Sequence, residues 1–271
     1  MTKSIALAAL LLATLAETAS AGLMELRGTT AQGGLLRGTV APDCRVTLDG
    51  LEVPVAENGG FLIGFGYDQK PWALVKAFCP GAQARQSLQI RQRAYDEQHI
   101  DGLPEDMVTY DEATLARIRV EAEAVAAARA VETELLAHQT PFVWPVIGQI
   151  TGVYGSRRVL NGVPKRPHYG VDVAAPVGTP VAAAAAGEVT FASDLYLSGK
   201  TIIIDHGFGL STSYLHLSET AVGVGDTVTQ GETIGAVGTS GRTTGAHFDW
   251  RVNLLDRRLD PVLVAGPMPE E

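Results

Sequence analysis

Glycine spacing constrains the second half of this chain more than any other feature. Gly207, Gly209, Gly223, Gly225, Gly231, Gly238 and Gly241 cut the apolar text into short runs. Short apolar runs between turn residues are strand text. Strands are expected over residues 148–153, 179–192, 201–205, 211–217, 233–237 and 247–253. Such a series suggests an antiparallel β-sandwich or barrel. Two segments share a cadence, V-G-T-P-V-A-A-A-A-A-G-E-V and V-G-D-T-V-T-Q-G-E-T-I-G, which hints at an internally duplicated β unit.

Residues 22–98 have a similar texture. Arg45-Val46-Thr47-Leu48, Phe61-Leu62-Ile63 and the run from Ala73 to Phe78 are separated by the turn signals Asp49-Gly50 and Asn58-Gly59-Gly60. This describes a small β-sandwich-like N-terminal domain with no His/Asp cluster, whose expected role is structural support. Its two cysteines, Cys44 and Cys79, are the chain's entire complement and are expected to form a structural bridge. A connector and helix occupy residues 99–142. Leu103-Pro104 argues against helix at the start. From 111 to 138, Gly and Pro are absent, Ala is abundant, and Leu115, Ile118, Val125, Ala128 and Val131 approximate one apolar stripe that Leu135 and Leu136 extend. Thr109 or Asp111 is placed to cap that helix. Its charged faces read as solvated surface, with a coiled-coil partner helix as the alternative.

Residues 1–21 read as a secretory signal peptide: Lys3, an apolar run from Ile5 to Leu15, and Ala19-Ser20-Ala21 before Gly22. The run is short for a membrane span, so no stable membrane insertion is expected after cleavage. Cleavage would remove one Lys and one Glu, leaving the formal charge at −9. An acidic chain without a Lys/Arg cluster argues against nucleic acid as a partner. The fold class expected overall is mainly β: the N-terminal sandwich, one long connecting helix, and a C-terminal antiparallel β-sandwich or barrel-sandwich hybrid over residues 143–271.

The chemistry-bearing residues fall in that last part. Four of the six histidines, His168, His206, His216 and His247, lie there. His168 and Asp172 stand four apart in H-Y-G-V-D, His216 lies in S-Y-L-H-L, and His247 and Asp249 stand two apart in A-H-F-D-W. In a strand, residues i and i+2 share a face, so His247 and Asp249 can address one centre. His and Asp are ordinary zinc ligands, and a remaining histidine can move protons. Arg251 follows on the same face and is placed to pair with a carboxylate. Tyr169 and Tyr214 are candidates to line a cleft, and the loop Ser240-Gly241-Arg242-Thr243-Thr244 to shape it. Asp205-His206-Gly207 reads as a strand-end turn rather than a ligand. No H-E-x-x-H helix accompanies these residues.

These motifs resemble the LytM/lysostaphin-type zinc metallopeptidases, over about residues 143–265. That family carries H-x-x-x-D, a histidine in Y-x-H-L, and H-x-H; V-G-T-P-V, D-H-G-F-G-L-S, G-R-T-T-G-A-H and the closing L-D-P are similar too. The resemblance implies a duplicated hybrid motif fold and a zinc endopeptidase cutting peptidoglycan stems or cross-links in the periplasm or outside the cell. Carried over by position, it implies His168 and Asp172 as metal ligands and His216 and His247 as the catalytic pair. The chain departs from the family at the third ligand, where Asp249 replaces histidine. An Asp oxygen is a legitimate zinc ligand, so the site can close as one His and two Asp. Two carboxylates would leave the metal a weaker Lewis acid and soften selectivity for zinc, so altered metal binding is expected. The same departure opens an alternative: a catalytically impaired protein that binds cell wall or regulates a partner hydrolase. A purely structural envelope protein would leave the histidines unexplained.

Overall fold

The computed structural model describes residues 22–102 and 109–270. The expected signal peptide, 1–21, and Leu103-Pro104 lie outside the described residues.

The N-terminal strands are β1 (Met24–Gly28), β2 (Leu35–Val40), β3 (Arg45–Leu48), β4 (Leu51–Val53), β5 (Gly60–Gly64), β6 (Trp72–Cys79) and β7 (Ala82–Gln89). They form two antiparallel sheets, β1-β2-β5 and β4-β3-β6-β7. Asp49 and Gly50, both at positive φ, make the two-residue turn that sets Leu48 opposite Leu51, the geometry a tight hairpin demands. Strand β6 alternates Ala73, Val75 and Ala77 inward onto Val46, Phe61 and Phe65. The Cys44–Cys79 disulfide ties the approach to β3 to the end of β6. Strand β7 is unexpected from its polar text: it buries only Leu88 and serves as an edge, where polar residues discourage further pairing.

Strand β8 (Glu97–Ile100) runs where a connector was expected, and the helix α1 (Glu112–Arg129) follows. Asp111 caps α1, its carboxylate accepting from the Thr114 amide at 2.7 Å. The helix stops nine residues short of its expected end at His138. Thr133 instead donates its hydroxyl to the buried Asp205, and its carbonyl accepts from the Phe208 amide at 2.9 Å. Gly207 permits this docking, because a Cβ there would strike the Leu135 carbonyl. Satisfying a buried carboxylate outweighs the few tenths of a kcal/mol per residue that helix propensity supplies.

The C-terminal region comprises β9 (Gln149–Gly152), β10 (Arg157–Leu160), β11 (Val163–Pro164), β12 (Val171–Ala174), β13 (Pro180–Ala182), β14 (Gly187–Leu195), β15 (Gly199–Asp205), β16 (Leu210–Thr220), β17 (Thr227–Val228), β18 (Thr233–Val237), β19 (Phe248–Leu254), β20 (Arg257–Leu259) and the short helix α2 (Pro261–Ala265). One ten-stranded sheet is ordered β17-β14-β15-β16-β19-β12-β9, with β13, β18 and β20 paired at its flanks. Strand β8 joins β10 in parallel. The strand expected over 179–192 is two strands. Between them Ala183, Ala184 and Ala185 turn fully inward, and the Tyr214 hydroxyl accepts from the Ala184 amide. The two similar segments pair reciprocally: β13 with β18, and β14 with β17. The Gly178 amide donates to the Val237 carbonyl and the Gly225 amide to the Val189 carbonyl, an exchange that fits a duplicated unit.

The main core packs Val171, Val173, Ile202, Ile204, Tyr214, Phe248 and Trp250 at essentially zero exposure, and it takes in Leu35 and Leu62 from the N-terminal sheet. The same junction holds an Arg93–Asp260 ion pair at 2.7 Å. Among the described residues, no helix is long and apolar enough to cross a membrane.

Candidate metal centre and its cleft

Three adjacent strands, β16, β19 and β12, build the site. Register places Asp172 directly opposite Asp249, and Asp249 opposite Leu215 on the other side. Directly opposed residues share a face, so the two carboxylates converge by strand pairing alone. Glycine gives them room: a Cβ on Gly152 would overlap the Asp172 carboxylate, and one on Gly170 would press on Asp249 and Arg251. His168, four residues before Asp172, completes the cluster. Its Nε2 lies 3.1 Å from Asp172 Oδ1 and 3.4 Å from Asp249 Oδ2.

His168, Asp172 and Asp249 offer one ligand atom each, all within 4.8 Å of one another. Both ring nitrogens of His168 and Oδ1 of Asp172 are buried with no hydrogen-bond partner among the described residues. Such unpartnered groups cost about 1–3 kcal/mol each and call for an explanation. A bound cation supplies one, because donors near 2.1 Å from a tetrahedral centre stand about 3.4 Å apart. The site's electrostatics agree. Burial disfavours a charge on His168, yet Asp249 and Asp172 outweigh it and hold the imidazole up to about 10.

Asp249 has a second partner. Arg251 donates from Nη2 to Oδ2 at 2.6 Å and from Nε to both oxygens at 3.1 Å. Burial opposes ionisation of Asp249, but Arg251 and His168 prevail and hold its carboxyl well below the usual range. Oδ2 accepts two of these bonds and Oδ1 one, so the ion pair leaves a lone pair on Oδ1 for a cation. Arg251 also answers the charge difficulty posed by two carboxylates. With one guanidinium beside them, the donors carry a net single negative charge, the same as two histidines and one aspartate. The residues present therefore fit a divalent metal.

His216 and His247 flank the cluster, their rings 4.8 Å apart. The Nδ1 of His216 donates to the Ser240 carbonyl at 2.9 Å, and that of His247 to the Gly245 carbonyl at 3.0 Å. Each bond assigns the tautomer and leaves Nε2 for the cleft. His247 Nε2 stands 4.0 Å from Asp172 Oδ1. Burial lowers the pKa of His216, against a smaller pull from Asp249, so it is neutral at pH 7. His216 also adopts a φ of 63°, a left-handed backbone that side chains rarely take and that is concentrated at functional sites. This kink resets strand alternation, so Leu215 and His216 both reach the cleft.

That reset corrects one expectation. Tyr214 does not line the cleft; it lies fully buried, bonded to the Ala184 amide and 2.9 Å from Thr212 Oγ1. Tyr169 turns away as well, 6.0 Å from the ring of Tyr67 and 6.4 Å from that of Tyr154. His206 is a core residue, bonded to the Ala186 carbonyl and Thr212. Arg242, Thr243 and Thr244 do line the cleft, whereas Ser240 anchors the strand ends through the Leu217 carbonyl and the Lys200 amide. The cleft is about 900 Å³, and its far wall is the helix α1, through Ile118, Ala122, Val125, Ala126 and Arg129. Sequence reasoning missed Arg129 and Arg258 as cleft residues. Only the strand register and the path of α1 bring them there.

Residues 166–261 match the family model described as Peptidase family M23. Over 105 residues the chain is 43% identical to the DD-carboxypeptidase/endopeptidase Mpg of Neisseria meningitidis, covering 39% of this chain and 24% of that protein. Over 122 residues it is 36% identical to the peptidoglycan DD-endopeptidase ShyA of Vibrio cholerae, covering 44% and 28%. The chain thus spans about a quarter of the length of these curated relatives. The crystal structure of a putative peptidase M23 from Pseudomonas aeruginosa matches more of the molecule, with a TM-score of 0.67 and 28% identity over 88% of this chain and 96% of that one. Residues 166–261 thus carry the match to peptidase family M23, and their motifs are similar to those of the LytM/lysostaphin type.

Proposed function

We propose that this protein is an exported zinc metalloendopeptidase that hydrolyses peptide bonds in peptidoglycan stems or cross-links. The observation that carries the reading is the convergence of His168, Asp172 and Asp249, with unpartnered buried donors, beside two histidines whose Nδ1 atoms are already engaged. His168, Asp172 and Asp249 would hold the metal, and Arg251 keeps Asp249 ionised and balances its charge. A zinc ion held there would polarise the scissile carbonyl and lower the pKa of water to about 7.

The remaining steps belong to side chains. Neutral His216 accepts the proton of the attacking water at Nε2, and its Nδ1–H to the Ser240 carbonyl favours the positive charge that results. The His216 imidazolium then returns that proton from Nε2 to the departing amine, while His247, its Nδ1–H held by the Gly245 carbonyl, donates from Nε2 to the developing oxyanion as the imidazolium. Each such transfer contributes about 10²–10⁴-fold. Residues 1–21 provide the export signal, placing the enzyme in the periplasm or outside the cell with its substrate, and the relatives named as peptidoglycan endopeptidases support that choice.

A second reading has one observation of its own. The Arg251 guanidinium places two hydrogen bonds on Asp249 Oδ2 and one on Oδ1, a competition that weakens metal affinity and would suit a protein that binds wall or regulates a partner hydrolase. Metal content of the purified protein, measured with digestion of isolated peptidoglycan, separates the two. Stoichiometric zinc and new muropeptides are expected from the unaltered chain. Absence of both would overturn the enzyme reading. Gain of both in an Asp249→His, Arg251→Gln double variant would then identify a hydrolase disarmed at one ligand.

A further inference from the structure

Beyond the metal centre, the same face of β19 continues through Arg251 to Asn253. Ser213 stands opposite Arg251, Ser211 opposite Asn253 on β16, and Arg258 opposite Asn253 on β20. Arg258 donates to the Asn253 side-chain oxygen at 2.5 Å. From above, the last residue of α1 enters the cleft: Arg129 donates through Nη2 to Ser213 Oγ at 3.1 Å. The strip is dense in donors and poor in acceptors. Arg129 Nε and Asn253 Nδ2 are buried without a partner, and no ion pair reaches Arg129 or Arg258 among the described residues. Arg251 has Asp249; these two have only the neutral oxygens of Ser213 and Asn253. Burial, then Arg258 and Arg251, push Arg129 down to about 9, and burial, then Arg251 and Arg166, lower Arg258. Both remain charged at neutral pH, in surroundings that penalise the charge.

Nearby carboxylates do not relieve this. Asp249 is held by Arg251, Asp172 faces His168, and Glu121 pairs with Arg117 and the Tyr196 amide. The favourable position of a cation in the last turn of a helix explains an arginine at 129; it does not explain why that guanidinium turns into the cleft beside two others. A planar anion does. Guanidinium forks match a carboxylate in two parallel hydrogen bonds, and the match strengthens where water is scarce.

We infer that Arg129 and Arg258, with Arg166 at the rim, form an anion subsite that takes a carboxylate of the peptide substrate next to the metal centre. The inference rests on the peptidoglycan reading for its source of carboxylate, since stem peptides carry free carboxylates beside their amide bonds. It makes the linker helix a part of the substrate-binding surface, contributing recognition as well as a wall.

The test is titration calorimetry on the full chain with a cross-linked muropeptide dimer bearing free carboxylates and with the same dimer amidated. The free dimer is expected to bind at least tenfold more tightly. Arg129→Gln and Arg258→Gln should remove that difference and leave amidated-dimer affinity within about twofold. Arg129→Lys, which keeps the charge and loses the fork, should retain part of it. Melting curves confirm that the variants are folded; a structural role alone would weaken both dimers equally and would overturn the assignment. Equal binding of the two dimers by the unaltered chain would overturn it too, as would binding of inorganic phosphate with none of glutarate. If neither dimer binds while glutarate binds in an Arg129-dependent manner, the subsite stands and the peptidoglycan reading falls.

Discussion

Two histidines flanking one sheet, His206 buried and His168 half-buried, show how differently the same side chain can be used. His206, between β15 and β16, is fully enclosed, and both of its nitrogens are satisfied: Nδ1 donates to the Ala186 carbonyl at 2.7 Å, and Nε2 stands 2.7 Å from the Thr212 hydroxyl. Burial pushes its pKa down to about 4, so it is neutral, packed against Phe142 at 5.1 Å, and part of the core. His168, leading into β12, has no hydrogen-bond partner on either nitrogen, and two carboxylates raise its pKa to about 10. One site is complete as it stands. The other has unpartnered donors facing two carboxylates, the pattern a metal site requires.

The comparison can be broken most severely at His168. Replacing it with Ala should abolish zinc uptake and reduce peptidoglycan hydrolysis by at least about a thousandfold, roughly 4 kcal/mol of barrier. The metal-free variant should also melt lower at neutral pH, because the imidazolium's ion pairs with Asp172 and Asp249 are lost, so zinc uptake by the folded variant is the readout that decides; retained uptake would remove His168 from the ligand set. His206→Gln should do the reverse, keeping metal and losing about 2–4 kcal/mol in urea unfolding near pH 7.5, the range for disrupting a buried, fully satisfied polar group.

That second penalty carries a pH signature. The folded-state pKa of His206 lies below its unfolded value near 6.5, so between about 6.5 and 4 the unfolded chain binds more protons. Stability from the neutral imidazole is complete above 6.5 and drains away as pH falls towards 4, by about 3 kcal/mol in all. Burial raises the pKa of Asp205, which acts in the opposite sense; comparing His206→Gln with the unaltered chain isolates the histidine. A pH-independent difference between the two would contradict the assignment.

The smallest effect expected is on stability. Zinc at a hundred times its dissociation constant should stabilise the unaltered chain by about 2.7 kcal/mol. It should leave His168→Ala and Asp172→Ala where they were. Stabilisation of those variants would locate the metal elsewhere.

The ligand spacing was legible in the sequence because it is local. H-Y-G-V-D and H-F-D keep their members within four residues, and strand alternation settles which of them share a face. The hairpin turn at Asp49-Gly50 was legible for the same reason, and the disulfide, which spans 35 residues, because the chain has only two cysteines. Failures came where distant partners decided the outcome. Propensity carried α1 on to His138, but Thr133 serves a carboxylate more than seventy residues away. Strand β7 has too little apolar text to be recognised, and β6 pairs with it through the backbone. Alternation placed Tyr214 in the cleft until the left-handed His216 shifted the phase.

The sequence by itself thus determined a mainly β chain, with its ligand candidates and its one irregular member, since periodicity and spacing are properties of adjacent residues. The tertiary structure alone decided what that irregularity means. It chose Asp249 as the carboxylate that Arg251 pairs with, placed Asp249 opposite Asp172, and turned Arg129 into the cleft with Arg258. Charges interact through distance in space, and only the folded chain fixes which of them are near.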